Sequence, residues 1–286
     1  MRNNYRFFML TGFFIMSFVF SSQTLAVESE KQGFDYSDFA DALKINVDDV
    51  GMVNYRKLKA EPQKLRTFIT ELENLDRKDF DEWDDNEKIA FWLNAYNALT
   101  LKAIIDNYPI KSSFFKSRIY PQNSIRQIAG VWDKIKFNVM GQNLTLEHIE
   151  HKILRVKFDE PGIHMAMVCA AMGCPSLRNE PYTGNKLIEQ LDDQARRFLA
   201  NPEKFKIART DSRIYLSPIF KWFAADFIKK HGPEKNIGRH NKEESAVLNF
   251  IASYLDKVQK EYVLTGKFKI KYLKYDWSLN EQQTTK

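Results

Sequence analysis

The chain has 286 residues, of which 44% are hydrophobic and 28% are charged, and its formal net charge is +6. This much apolar surface excludes an intrinsically disordered chain. Two cysteines exclude a disulfide-dense scaffold and a four-cysteine metal site. The length is that of one large domain or two small ones.

Residues 1–26 have the three-part pattern of a secretory signal peptide. Arg2 and Arg6 precede an uncharged apolar run, Phe7 to Phe20, and Thr24-Leu25-Ala26 approximates a small-x-small cleavage site. The apolar run, at about 14 residues, is shorter than the ~20 residues of a membrane-spanning helix. We therefore predict export to the periplasm or the extracellular space. An uncleaved membrane anchor is the alternative.

The charge of the mature chain limits its partners. Cleavage after Ala26 would leave about 260 residues and a net charge of about +4. Acidic and basic residues are interspersed, so the chain has no basic stripe that could follow a phosphate backbone. We expect a soluble protein with no nucleic-acid partner, no cofactor and no stable membrane insertion after signal cleavage. Its substrate would be an unidentified small molecule or peptide.

Helices are predicted for the first part of the mature chain. Apolar residues recur at helical spacing from Tyr36 to Pro109. Asp84 or Asp85 is placed to cap a long helix, Asn86 to Asn107, which is apolar nearly all round. Such a helix belongs in the middle of a hydrophobic core.

Short strands and helices are predicted after the long helix. Hairpins are expected about Met140–Asn143 and Thr210–Ser212, helices over Leu146–Phe158, Leu187–Leu199, Ile219–Lys230 and Glu243–Leu255, a loop over Gly173–Gly184 and a strand over Lys267–Trp277. The segment Ile163–Ala170 suits a helix or a strand. This order predicts an α+β fold whose helical N-terminal half packs on a small antiparallel or mixed sheet.

One main domain is predicted, because no linker with a shift in composition divides the mature chain. We place this domain at residues 84–277. A helical extension at residues 27–83 precedes it, and a tail at residues 278–286 follows it.

Polar residues on the long apolar helix are the first candidates for chemistry. Asn94 and Asn97 lie towards one side of this helix, with Tyr96 beside them. Buried amides need partners, since an unpaired polar group costs about 1–3 kcal/mol. They either bind the backbone of neighbouring loops or orient a reacting group or a substrate.

The helix after the first hairpin provides the second set of candidates. Its residues Glu147, His148, Glu150 and His151 have spacings of three and four, so three of them share a face as metal ligands often do. A second ligand helix and an HExxH motif are both missing from the sequence, so we expect no metal. His151 is better suited to orientation or acid–base chemistry, and a partly exposed charged helix is the simpler alternative.

The third candidate segment holds both cysteines. His164 and Cys169 lie in an apolar run, and Cys174 stands before Pro175. Proline favours the first position of a helix, so Cys174 is expected at an N-cap, where a thiolate would be stabilised. Three alternatives remain open: inert cysteines, a Cys169–Cys174 disulfide, or a reactive thiol beside an imidazole.

Long motifs in consecutive order carry a family resemblance. They are FWLNAYNALTLKAIIDNYPI, LEHIEHKILR, IHMAMVCAAMGCPSLRNEPYTG, LDDQARRFLAN, PIFKWFAADF and IKYLKYDWSLN. Over about Asp84 to Trp277 the chain resembles the domain-of-unknown-function family 547, as an exported bacterial member. The resemblance singles out Asn94, Tyr96, Asn97, Glu150, His151, His164, Cys169 and Cys174.

Two functions of different classes are consistent with these residues. The first is a thiol-dependent hydrolase or acyl transferase of the cell envelope. Its nucleophile would be Cys174 or Cys169, its base His164 or His151, and its orienting or oxyanion-binding groups Glu150, Asn94 and Asn97. The second is a non-catalytic envelope domain that binds a ligand or partner and has a structural disulfide. A thiol–disulfide redox protein ranks third, because the C-x-x-C motif is missing.

Overall fold

A computed structural model of the chain describes Met1 and residues 33–283. The predicted signal peptide beyond Met1, its cleavage site and residues 284–286 of the predicted tail lie outside the described residues. Residues 33–283 belong to one compact unit. The division of the mature chain at residue 83 stays a prediction.

Five helices form the first half of this unit. They are α1 (Ser37–Asn46), α2 (Tyr55–Ala60), α3 (Gln63–Asn74), α4 (Arg77–Glu82) and α5 (Asp85–Asn107). The side chain of Asp84 caps α5 by accepting a hydrogen bond from the backbone N–H of Glu87, as predicted. From Ile89 to Leu101 every residue of α5 is buried, with α2 and α3 packed against it. The long apolar helix is therefore the centre of the larger hydrophobic core.

A hairpin and a distorted helix follow α5. Strands β1 (Phe137–Val139) and β2 (Gln142–Leu144) pair antiparallel. The two turn residues between them, Met140 and Gly141, both have positive φ, as a tight two-residue hairpin requires. The next helix consists of α6 (Leu146–His148), π-helical turns at Ile149–Leu154 and α7 (Arg155–Lys157), with short 3₁₀ helices before it at Lys116–Arg118 and Ile125–Gln127.

The C-terminal half contains a second hydrophobic core built on a three-stranded sheet. The elements are α8 (Leu187–Ala200), β3 (Phe205–Ala208), β4 (Arg213–Leu216), α9 (Ile219–Trp222), α10 (Ile228–His231), α11 (Lys242–Ala252), α12 (Lys257–Thr265) and β5 (Lys269–Tyr272). Strand β4 is central, antiparallel to β3 and parallel to β5. The sheet is therefore mixed, and the α+β prediction is confirmed.

Three elements differ from their sequence predictions for identifiable reasons. The helix predicted over Ile219–Lys230 is interrupted at Phe223, and a 3₁₀ turn at Ala224–Phe227 separates α9 from α10. The strand predicted over Lys267–Trp277 pairs only at β5, because its partner β4 supplies only four residues. The segment Ile163–Ala170 is neither helix nor strand throughout: a 3₁₀ turn ends at Met165 and irregular chain follows.

The expected N-cap at Cys174 is wrong. No helix begins at Pro175, and the chain stays irregular up to the 3₁₀ turn at Gly184–Lys186. Proline at this point ends a turn instead of starting a helix, so no helix N-terminus is available to stabilise a thiolate of Cys174. None of the helices in residues 33–283 has the length and hydropathy that a membrane crossing requires.

Candidate functional site

An aromatic cleft of about 220 Å³ lies between α5, the π-helical segment, the loop from Cys169 to Cys174 (the cysteine loop) and the C-terminal chain around Tyr275 and Trp277. Its lining residues are Tyr96, Trp132, Glu150, His151, His164, Met167, Cys169, Cys174, Ile219, Trp222, Phe223, Tyr275 and Trp277. The fold thus brings together the sequence-predicted residues Glu150, His151, His164, Cys169 and Cys174. Asn94 and Asn97 are not part of the lining.

The two asparagines of α5 bind loop backbone instead. The amide of Asn94 donates to the carbonyl of Tyr182 at 2.7 Å and accepts from its N–H at 2.9 Å. The amide of Asn97 donates to Ala166 O at 3.1 Å and accepts from Val168 N–H at 2.9 Å. Each amide therefore uses both its donor and its acceptor to fix a loop beside the cleft. Of the two roles left open by the sequence, the contacts match the one in which the amides bind backbone.

The π-helical turns place Glu150 and His151 at the cleft. Thr145 caps this helix by accepting from the backbone N–H of His148, and the helix changes from α to π geometry at Ile149. Glu147 and His148 remain exposed on the outer side. A π segment is rare and often marks a functional site, because its wider turn changes which side chains face inward.

Glu150 is a carboxylate with one close hydrogen-bond donor. Tyr96 donates its hydroxyl to Glu150 Oε2 at 3.1 Å, and His151 Nε2 lies 3.8 Å from Oε1. Burial, and next the charge of Glu150, raise the pKa of Tyr96 well above its usual value, so this hydroxyl remains a donor. The carboxylate therefore retains acceptor capacity on the side of Oε1.

Next to these groups, Arg155 and Asp226 form an ion pair. Arg155 donates to both oxygens of Asp226, at 2.6 Å from Nε and 3.0 Å from Nη2. Its remaining nitrogen, Nη1, lies 2.6 Å from His151 Nδ1. Because a guanidinium has only donors, His151 accepts through Nδ1 and carries its proton on Nε2, towards Glu150. The positive charge of Arg155 is thus engaged by Asp226.

His164 is buried and has one unsatisfied ring nitrogen. Its Nε2 lies 2.8 Å from Asp226 Oδ2, and the ring stacks on Phe223 with a centroid separation of 4.2 Å. Burial lowers the pKa of His164 more than the bond to Asp226 raises it, so the imidazole is neutral at pH 7. The proton is then on Nε2, facing Asp226. Nδ1 is a bare acceptor, and it has no hydrogen-bond partner.

The two cysteines form a disulfide, Cys169–Cys174. Both sulfurs line the cleft, and the hydroxyl of Tyr275 lies 3.3 Å from the sulfur of Cys169 and 3.0 Å from that of Cys174. A disulfide sulfur has no proton to give, so Tyr275 is the donor. The disulfide alternative is therefore confirmed, and neither cysteine has a free thiol in this structure.

Aromatic rings form one wall of the cleft. Tyr275 packs against Trp222 and Trp277 at centroid distances of 4.9 and 4.6 Å, and Trp132 contacts Trp277 at 6.2 Å. The guanidinium of Arg126 lies 4.3 Å from the Trp277 ring centroid. One cation therefore already contacts a ring of this wall.

Residues 80–199 match the family model described as "Protein of unknown function, DUF547". This segment of the chain is therefore assigned to the DUF547 family. The resemblance found in the sequence is thereby confirmed for this segment. Comparisons with curated proteins and with solved structures find no significant match.

The DUF547 match contains all seven candidate residues but not the whole cleft. Asp226, Trp222, Tyr275 and Trp277 come from beyond residue 199, and they supply the partner of His164, the donor to the disulfide and the aromatic wall. The later motifs PIFKWFAADF and IKYLKYDWSLN carry these residues. The cleft is therefore formed jointly by the matched segment and the C-terminal half of the described chain.

Sequence reasoning missed Arg155, Asp226 and Tyr275 as site residues. Two signals were present: Arg155 follows His151 by four residues on one helix, and Asp226 is the single acid of a motif that is apolar apart from Lys221. No sequence signal placed Tyr275, because its contact with Cys174 spans 101 residues. Among residues 33–283 no group of three or more histidine, cysteine or acidic side chains is arranged to hold a metal ion.

Proposed function

We propose that this DUF547 domain binds a small organic ammonium ion with an apolar body in the aromatic cleft. One observation carries the proposal. Glu150 lines the cleft and accepts a close hydrogen bond only at Oε2, so its Oε1 has no donor within hydrogen-bond distance among the described residues, in an otherwise aromatic setting. A primary ammonium group has three donors and a positive charge, so it could bind to this oxygen.

The charge balance of the cleft favours a cation. Arg155 is paired with both oxygens of Asp226, and His151 accepts from the same guanidinium. Among the described residues Glu150 has no lysine or arginine nitrogen within ion-pair distance, and its nearest polar contacts are the Tyr96 hydroxyl and His151 Nε2. A ligand cation would therefore find an opposite charge without displacing an existing ion pair, whereas a carboxylate ligand would be repelled.

The aromatic wall and the size of the cleft define the rest of the ligand. Indole and phenol faces attract cations and stack on apolar rings. A volume of about 220 Å³ is smaller than the ~300–1,000 Å³ of typical drug-sized pockets. The expected ligand has a single ring or a short alkyl body that rests against Trp222 and Trp277.

Export to the cell envelope is part of the proposal. The pattern of residues 1–26 supports it, and so does the disulfide, because such bridges persist in oxidising compartments. A mature chain recovered from the periplasm or the medium should begin at Val27. Recovery of the uncleaved chain in the cytosol would contradict this part.

Ligand titration followed by tryptophan fluorescence tests the binding proposal. Trp132, Trp222 and Trp277 line the cleft, so an occupant should change their emission. Three probes of one shape are compared: phenethylamine, phenethyl alcohol and phenylpropionate. We expect the amine to bind at least tenfold more tightly than the alcohol, and the carboxylate to give no saturable change.

Two variants of the same helix test which carboxylate recognises the amine. Glu150→Gln removes the charge and should abolish the preference for the amine over the alcohol. Glu147→Gln removes an exposed carboxylate from the same helix and should leave that preference unchanged. Equal binding of the amine and the carboxylate, or no fluorescence change with the amine, would refute the proposal.

A further inference from the structure

The surroundings of the disulfide are asymmetric, and this asymmetry suggests an activity beyond ligand binding. Cys174 is 5% exposed, whereas Cys169 is only partly buried. The sulfur of Cys174 accepts from the backbone N–H of Cys169 at 3.0 Å and from Tyr275 at 3.0 Å. The sulfur of Cys169 has only the longer contact with Tyr275, at 3.3 Å. Cys169 is therefore the more exposed cysteine, and the sulfur of Cys174 has the closer donors.

We propose that the Cys169–Cys174 bridge is a reactive disulfide that oxidises dithiols by thiol–disulfide exchange at the cleft. Exchange proceeds when a thiolate attacks one sulfur and the other leaves as a thiolate, and it is faster when the leaving thiolate is stabilised. Cys169 is the sulfur that is attacked, since it is the accessible one. Cys174 is the leaving group, since its two donors would stabilise negative charge.

The atoms and electrons balance with a dithiol as the only co-reactant. One substrate thiolate bonds to Cys169 Sγ, the Cys169–Cys174 bond breaks, and Cys174 leaves as a thiolate. The second substrate thiolate then attacks the first substrate sulfur and releases Cys169. The substrate becomes a disulfide, and its two protons end on the two cysteines. The protein is reduced by two electrons and the substrate is oxidised by two.

Tyr275 is suited to assist the leaving sulfur. Burial, and next the charge of Glu150, raise the pKa of its phenol far above the usual range, so the hydroxyl keeps its proton and donates. Its ring cannot withdraw easily, because it packs against Gly173 so closely that a Cβ there would lie 2.7 Å from it. The donor is therefore held at the sulfurs by packing.

The loop between the cysteines is held independently of the bridge. Backbone bonds tie Ala170, Met172 and Gly173 to residues 276–280 of the C-terminal chain, and Lys204 donates to the carbonyl of Met172. Ala170 has a φ of +59°, a conformation that a non-glycine residue adopts only when its surroundings enforce it. The sulfurs should therefore stay close after reduction, which permits reoxidation and favours a reversible reaction over a structural crosslink.

The rate of reduction in the folded state tests this proposal. Oxidised protein is mixed with dithiothreitol, and thiols are quantified by alkylation and mass at intervals. We expect reduction without unfolding, and a decrease in rate of about tenfold in Tyr275→Phe, which loses one hydrogen bond to a developing charge. Tyr272→Phe, three residues earlier, should react at the wild-type rate.

A second measurement tests the assignment of the two sulfurs. Cys174→Ser leaves Cys169 free, and Cys169→Ser leaves Cys174 free. The first variant should form a mixed disulfide with oxidised glutathione at least tenfold faster, because its thiol is the accessible one. A bridge that resists dithiothreitol until the protein unfolds, an unchanged rate in Tyr275→Phe, or the reverse order of the two thiols would overturn the proposal. Amine binding is measured separately, so the two proposals fail independently.

Discussion

The amides of α5 and the polar groups of the aromatic cleft differ in how fully they are satisfied. Asn94 and Asn97 lie in the most apolar helix, yet in each side chain both the nitrogen and the oxygen have a backbone partner. Glu150 and His164 line an open cleft and retain unused acceptors. A polar residue in an apolar setting is therefore not by itself a candidate binding residue, whereas an acceptor without a donor beside a cavity is a more specific sign.

The largest loss of stability should follow from removing an asparagine side chain of α5 that binds loop backbone. Asn94→Ala would leave the buried N–H and carbonyl of Tyr182 without partners. We expect a loss of about 2–4 kcal/mol in the free energy of unfolding, since each unsatisfied group costs about 1–3 kcal/mol. Urea unfolding measures this loss.

Asn107→Ala is the control on the same helix, because its amide donates only to Ala103 of its own last turn. Its loss should be below about 1 kcal/mol. A similar small loss for Asn94→Ala would show that its two backbone hydrogen bonds contribute little to stability. The amides of α5 would then not have the structural role that distinguishes them from the cleft residues.

A smaller effect is expected from a buried charge behind the cysteine loop. Burial lowers the pKa of Lys204 from 10.5 to about 8. Between these values the unfolded chain holds a proton that the folded protein has released, so the free energy of unfolding should rise with pH. From pH 7.5 to pH 9.5 the expected gain is about 2 kcal/mol.

Lys204→Met should lack this gain, because it has no amine to titrate. Chemical unfolding of both proteins across this range measures the difference, and all other groups cancel between them. The same dependence of the free energy of unfolding on pH in both proteins would show that the pKa of Lys204 is not lowered in the folded state.

The smallest effect concerns His164 at the cleft. Burial lowers its pKa in the folded protein, and the charge of Arg155 acts in the same direction, despite the bond to Asp226 and the charges of Asp226 and Glu150. As pH falls below about 6.5 the unfolded chain takes up a proton that the folded protein refuses, so stability should fall. The slope approaches at most about 1.4 kcal/mol per pH unit.

His164→Asn should reduce this slope between pH 6.5 and pH 5. The pKa of His231 is also lowered by burial, but His231 is present in both proteins and its contribution cancels. Asp226 has a lowered pKa and loses its stabilising contribution only near pH 4 and below. An unchanged slope in the variant would indicate that His164 is protonated in the folded state and that its Nδ1 is not a free acceptor.

Sequence patterns predicted well those elements whose geometry depends on residues close together in the chain. The Asp84 cap, the hairpin at Met140 and Gly141 and the cap at Thr145 depend on neighbours within four residues. The helix predicted over Ile219–Lys230 failed because Phe223 packs on His164, about 60 residues earlier in the chain. Long-range packing overrides propensity there.

The sequence by itself determined the α+β class, the buried position of α5 and the family resemblance of residues 80–199, because periodicity, caps and motifs are local. Only the tertiary structure decided that both cysteines are bridged, that Asn94 and Asn97 bind backbone, that Tyr275 lies at the disulfide and that Asp226 binds His164. These contacts join residues 62–106 positions apart, except within the cysteine loop. Their formation depends on packing between segments that are distant in sequence, which no local pattern encodes.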